Sequence, residues 1–161
     1  MIYEKLIIDT NLLLLLVIGS IDGGMHIKKS SRLGDYNIDD FNTLLDIVEK
    51  TKEIYITPYI ATEVSNLIDL KGDLKDKAFQ ICREFFNEFK KVEVDLHIDI
   101  SKDSFICYGL TDTSLVNLAP KYHILTADNR LLGELFKSCA KNILPYEIMK
   151  QKERGLQWVY L

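Results

Sequence analysis

The chain opens on a short apolar run, Leu6, Ile7 and Ile8, which ends at Asp9 and passes through Thr10 and Asn11 into a second apolar run, 12–18. The first run has strand length and the second helical length. Together they predict a buried strand feeding a helix packed deep against the sheet. Residues 19–36 break the pattern, because Gly19, Ser20, Gly23, Gly24, Ser30, Ser31 and Gly34 dominate them. This Gly-rich insertion, 19–37, reads as an exposed, mobile loop. Phe41, Leu44, Leu45 and Val48 then recur at helical spacing, with Asp39 or Asp40 placed to cap the helix. Residues 53–56 predict a second strand. Thr57 and Pro58 open the next helix as cap and first helical residue, and Ile60, Val64, Leu67 and Ile68 carry it toward Gly72.

A further helix is predicted over 74–90, with Ala78, Phe79, Cys82, Phe85, Phe86 and Phe89 on its core side. Val92, Val94 and Leu96 alternate with polar residues, which predicts a third strand near a sheet edge. Residues 101–108 read as helical up to Gly109, and Thr111, Asp112 and Thr113 open another helix that Pro120 stops. The fourth strand, 123–126, ends in Ala127, Asp128 and Asn129; a helix over 130–137 and a fifth strand over 142–146 follow. Strands alternating with helices predict an α/β fold. The expected form is a three-layer α/β/α sandwich with a mainly parallel sheet of about five strands. Right-handed crossovers bring the carboxyl ends of the strands to one rim. The domain is expected over 1–149. The tail 150–161 is charged and then apolar at Leu156, Trp158, Val159 and Leu161, suited to covering the body or engaging a partner.

Composition narrows the class. A chain of 161 residues, 47% hydrophobic and 27% charged, is that of one soluble globular domain able to bury its own core. A net charge of -4 argues against coating nucleic acid by bulk charge, while leaving room for a local basic path into an acidic site. Cys82, Cys107 and Cys139 are odd in number, far apart and without a CxxC, so they read as reduced core residues of a cytoplasmic protein. The run 12–18 is too short to span a bilayer. Asp9, Thr10 and Asn11 interrupt any signal-peptide reading of it.

The candidate chemistry lies in the acids at element ends. Asp9 ends the first strand and Asp128 the fourth, expected neighbours where the strand order reverses and ligands gather. Asp112 starts the helix leading into the fourth strand, and Glu63 lies five residues after Pro58 on the helix leaving the second. Each alone suits a helix cap or a solvated carboxylate. Four converging carboxylates, however, repel one another unless something cationic neutralises them. With no His or Cys among them, a hard divalent ion suits the set better than zinc.

The segments LIIDTNLLL, TPYIATEVSNL, GLTDTSLVNLA and HILTADNRLL resemble, in that order, the motifs of PIN-domain nucleases. The resemblance covers residues 6–146 and implies a parallel α/β/α sandwich acting as a Mg²⁺- or Mn²⁺-dependent ribonuclease. It places Asp9, Glu63, Asp112 and Asp128 as metal-binding acids, with Asn11 positioning a water or phosphate and Thr126 orienting a carboxylate. Lys28, Lys29, Arg32 and Arg130 are the candidate contacts to RNA. Within the family, the toxins of bacterial toxin–antitoxin pairs imply an antitoxin partner and a homodimer. The insertion and the Trp158-containing tail depart from that compact group.

Three rivals remain. A phosphatase of the haloacid-dehalogenase type needs a second acid two residues after its first, where this chain has Asn11. A receiver-like signalling domain carries its acceptor Asp after strand three, whereas the acids here follow strands one and four. A PIN-like module that binds RNA or a partner without catalysis would need no such set of acids.

Overall fold

The computed structural model describes the backbone of residues 1–159 and the side chains of residues 1–155. Five strands form one all-parallel sheet in the order β3-β2-β1-β4-β5. They are β1 (Tyr3–Ile8), β2 (Thr51–Ile56), β3 (Lys90–Lys91), β4 (His123–Thr126) and β5 (Ile143–Pro145). The order reverses beside β1, whose Ile8 lies opposite Leu125 of β4. This is the expected three-layer α/β/α sandwich.

Helix α1 (Thr10–Gly19) packs against α2 (Ile38–Glu49), α3 (Pro58–Leu67) and α4 (Asp73–Glu88) on one face. A second group, α5 (Leu96–Ile100), α6 (Asp103–Tyr108), α7 (Leu110–Leu118) and α8 (Leu132–Cys139), packs together after the crossover from β3 to β4. Helix α9 (Tyr146–Val159) returns against α2 and β5. The run 12–18 is buried throughout, so α1 is apolar on all sides because it is enclosed on all sides. Its last residue, Gly19, is where α2 comes nearest: a Cβ there would stand 2.2 Å from the Phe41 ring.

Several expectations need correction. The insertion is not a loose loop. Two short 3-10 turns, Asp22–Gly24 and Ile27–Lys29, fold it back so that Ile21, Ile27 and Leu33 join the core. The Asp69 carboxylate accepts from the Ser30 and Ser31 hydroxyls at 2.6 and 2.9 Å, and from the Ser31 and Arg32 amides at 2.9 and 3.2 Å. Three apolar anchors among the glycines outweigh the turn composition.

The third strand is two residues long. Val92 still donates its amide to Ile56 (2.9 Å), but Asp95 then accepts from the amides of His97 and Ile98 and starts α5. The alternation of Val92, Val94 and Leu96 therefore gave way to a capping carboxylate. At α2 the cap is Asn37, whose side chain accepts from the Asp39 and Asp40 amides. Asp40 returns the bond to the Asn37 amide, completing a capping box. Thr57 and Pro58 open α3 as expected.

Cys82 is buried, but Cys107 is exposed and Cys139 lies between, so only one cysteine is a core residue. Phe79, expected on the core side of α4, is 40% exposed. Helix α9 begins before residue 150 and is tied down early: the Lys150 ammonium contacts Asp40 at 2.5 Å, and Lys50 donates to Glu153 at 2.7 Å. The Trp158 side chain and those of residues 156–161 lie outside the described residues. No helix among the described residues is long and apolar enough to cross a membrane.

Candidate functional site

At the end of β1 the sheet hands its hydrogen bonding to a side chain. The Asp9 amide continues the ladder by donating to Leu125 (2.9 Å), which fixes Asp9 beside the end of β4. Its carboxylate caps α1 by accepting from the Thr10 amide at 2.7 Å. The second oxygen accepts from the buried Thr126 hydroxyl at 2.6 Å. Thr126 in turn accepts from the Asp128 amide at 3.0 Å, so one hydroxyl sets both Asp9 and the turn that carries Asp128. That turn continues with Asp128 accepting from the Arg130 amide (2.9 Å), which delays α8 to Leu132.

Glu63 reaches the same rim from α3. It accepts from Thr10 at the head of α1 (2.9 Å) and from Thr111 in the first turn of α7 (2.8 Å). One carboxylate thus joins helices from both faces of the sheet. Neither hydroxyl stands out in the sequence, although each immediately adjoins a candidate acid: Thr10 follows Asp9 and Thr111 precedes Asp112. Such adjacency becomes a signal once the helices are known to converge.

The charges interact across these elements. Burial, then the neighbouring Asp9, Asp128 and Glu63 carboxylates, push Asp112 up to about 7, with Arg130 opposing. Burial also raises Asp9 against the Thr126 and Thr10 hydrogen bonds, and Asp128 and Glu63 add to the rise. Asp128 moves the other way, because Arg130 holds its carboxylate ionised through Nε at 3.2 Å and Nη2 at 3.0 Å. The four acids therefore act on one another electrostatically across these elements.

A cavity of about 280 Å³ opens here, lined by Asp9, Asn11, Leu12, Tyr36, Ala127, Asp128 and Arg130. Asn11 is exposed on the first turn of α1 and faces this space together with Asp9. Arg130 is the basic residue in the lining. Lys28, Lys29 and Arg32 are exposed on the insertion and do not line it; Lys29 borders a separate cavity of about 320 Å³ with Asp69 and Leu74. Tyr36, at the end of the insertion, is the wall residue that sequence reasoning missed, since nothing local ties it to the acids.

The donor chemistry fits a hard divalent cation: the groups are oxygens, and burial, then their mutual repulsion, raises the proton affinity of Asp112 and Asp9. Among the described residues, no three His, Cys, Asp or Glu side chains stand close enough together to hold an ion as placed. Arg130 engages Asp128, and two hydroxyls engage Glu63. No protein-family model matches the chain, and no curated protein matches it.

Proposed function

We propose that the chain is a metal-dependent ribonuclease of the PIN type that hydrolyses RNA phosphodiester bonds at the carboxylate rim. The observation that carries this reading is a convergence of carboxylates where strand order reverses: Thr126 holds Asp9 beside the turn that carries Asp128, and Glu63 is clamped by Thr10 and Thr111, the neighbours of Asp9 and Asp112. Such an arrangement costs folding energy and is retained where a bound cation makes use of it. Asp9, Glu63, Asp112 and Asp128 would hold Mg²⁺ or Mn²⁺. A bound ion would supply Lewis-acid activation of water for attack on phosphorus.

The remaining work falls to the chain itself. Thr126 keeps the Asp9 carboxylate turned to the rim, and Thr10 with Thr111 does the same for Glu63. Arg130 and Asn11 face the cavity, where they would meet a phosphate and order it. Arg130 would then exchange its Asp128 partner for the substrate, which leaves that carboxylate open to the ion. The motif order also fits a toxin held in check by an antitoxin, with the acidic rim as the surface to be covered, although the insertion lengthens the chain relative to that compact group.

Replacing Asp128 with Asn tests the assignment. The variant should retain the circular dichroism and melting profile of a folded protein and lose Mn²⁺-dependent cleavage of single-stranded RNA by at least about a hundredfold. Undiminished cleavage would end the nuclease reading. Metal-insensitive RNA binding without cleavage by the unaltered chain would instead favour the non-catalytic module.

A further inference from the structure

The cavity beside the carboxylates is also lined by an aromatic residue that the acid chemistry does not use. Tyr36 lines the same cavity of about 280 Å³ as Asp9, Asn11, Asp128 and Arg130, a space on the scale of a single nucleotide. It is half-buried and stands between that space and a second cavity of about 180 Å³ lined by Leu33, Asp40 and Lys150. We propose that the ring of Tyr36 is a stacking platform for an unpaired RNA base, seated beside the phosphate that the carboxylates and Arg130 engage. This rests on the reading of the rim as an RNA-cleaving site and adds to it the need for a single-stranded, unstacked nucleotide there.

The ring is held in place before any ligand arrives. Its backbone amide closes a turn onto Leu33 (3.1 Å), and the next residue, Asn37, is locked by the capping box of α2. Tyr36 meets Tyr146 in a T-shaped contact, centroids 6.2 Å apart and planes at 80°. Tyr146 is itself 1% exposed, and its hydroxyl donates to Asp40 at 2.7 Å. A ring fixed this way loses little conformational freedom on stacking, and every base offers a π-face to it. The phenol stays neutral at working pH, since burial and then Asp40 and Glu147 push it up to about 12. It therefore adds no charge to a wall that an RNA backbone must approach. Arg130 provides the complementary cation in the same lining.

The test uses the full chain and short single-stranded RNA carrying 2-aminopurine, titrated in Ca²⁺ for binding and followed in Mn²⁺ for cleavage. Tyr36→Phe should keep the fluorescence quenching and the affinity of the unaltered chain. Tyr36→Leu, which fills similar space without a π-face, should lose the quenching and about tenfold in affinity. Its KM should rise by a similar factor while kcat stays within about twofold. Tyr146→Phe, which removes the bond to Asp40 and leaves the Tyr36 ring, should behave as the parent. Unchanged quenching and KM in Tyr36→Leu would overturn the proposal even if Asp128→Asn is inactive. So would an equal loss in all three variants, or absence of binding by the parent. Ring-dependent binding by a parent that never cleaves would uphold the platform and remove the nuclease reading alone.

Discussion

Asp112 offers the sharpest test of whether the rim is a charged site built at the expense of stability. Its carboxyl is pushed from 3.8 to about 7, first by burial and then by Asp9, Asp128 and Glu63. Between roughly pH 4 and pH 7 the folded protein therefore keeps a proton that the unfolded chain has already released. The folded state binds more protons, so stability falls as pH rises through that window, and the full penalty is present above pH 7. At 1.36 kcal/mol for each tenfold in proton affinity, the rise corresponds to about 4 kcal/mol at most. Partial solvent access and proton sharing among the four acids reduce the expected cost to about 2 kcal/mol.

Asp112→Asn removes the ionisation while keeping the shape. It should stabilise the protein by about 2 kcal/mol at pH 8 and by little at pH 4. For a chain of this length, that is about 4–8 °C in melting temperature. Urea unfolding at pH 4, 6 and 8, each with EDTA and then with Mn²⁺, separates the contributions. Millimolar Mn²⁺ should raise the stability of the parent at pH 8 and not that of Asp112→Asn, because an ion bound to the folded state stabilises it by mass action. A variant less stable than the parent at pH 8, or equally shifted at pH 4, would refute the electrostatic argument.

Two further predictions concern the insertion. Asp69→Ala removes the carboxylate that accepts from Ser30, Ser31 and Arg32. It should cost about 2 kcal/mol and open Lys28, Lys29 and Arg32 to trypsin; an unchanged digestion rate would show that the apolar anchors suffice alone. At Gly24, φ is +91° and a Cβ would stand 2.2 Å from Ile38 Cδ1, so Gly24→Ala should destabilise by at least about 1 kcal/mol in urea unfolding.

Much of this molecule was written locally. The apolar runs before and after Asp9 determined a buried strand and a buried helix, because strand and helix lengths of continuous hydrophobicity have few other solutions. Thr57 with Pro58 determined the start of α3, since a capping oxygen followed by a preset φ needs no distant partner. The order of strands and helices was enough to bring Asp9 and Asp128 together at the end of the sheet and to direct Glu63 and Asp112 toward them, through the handedness of parallel crossovers.

Tertiary structure decided what depends on partners far along the chain. Asp69, thirty-nine residues from Ser30, turned a glycine-rich stretch into an ordered one. Asp95 outcompeted an alternating pattern because β3 lies at the sheet edge, where no strand beyond it rewards further extension. Thr10 and Thr111 became the clamp on Glu63 only when helices from the two faces met. Tyr36 entered the cavity because Tyr146, one hundred and ten residues later, fixes its ring. Asp9 could be read from the sequence as a cap at a strand end; its company of charges follows from the reversal of strand order, a property of the whole sheet.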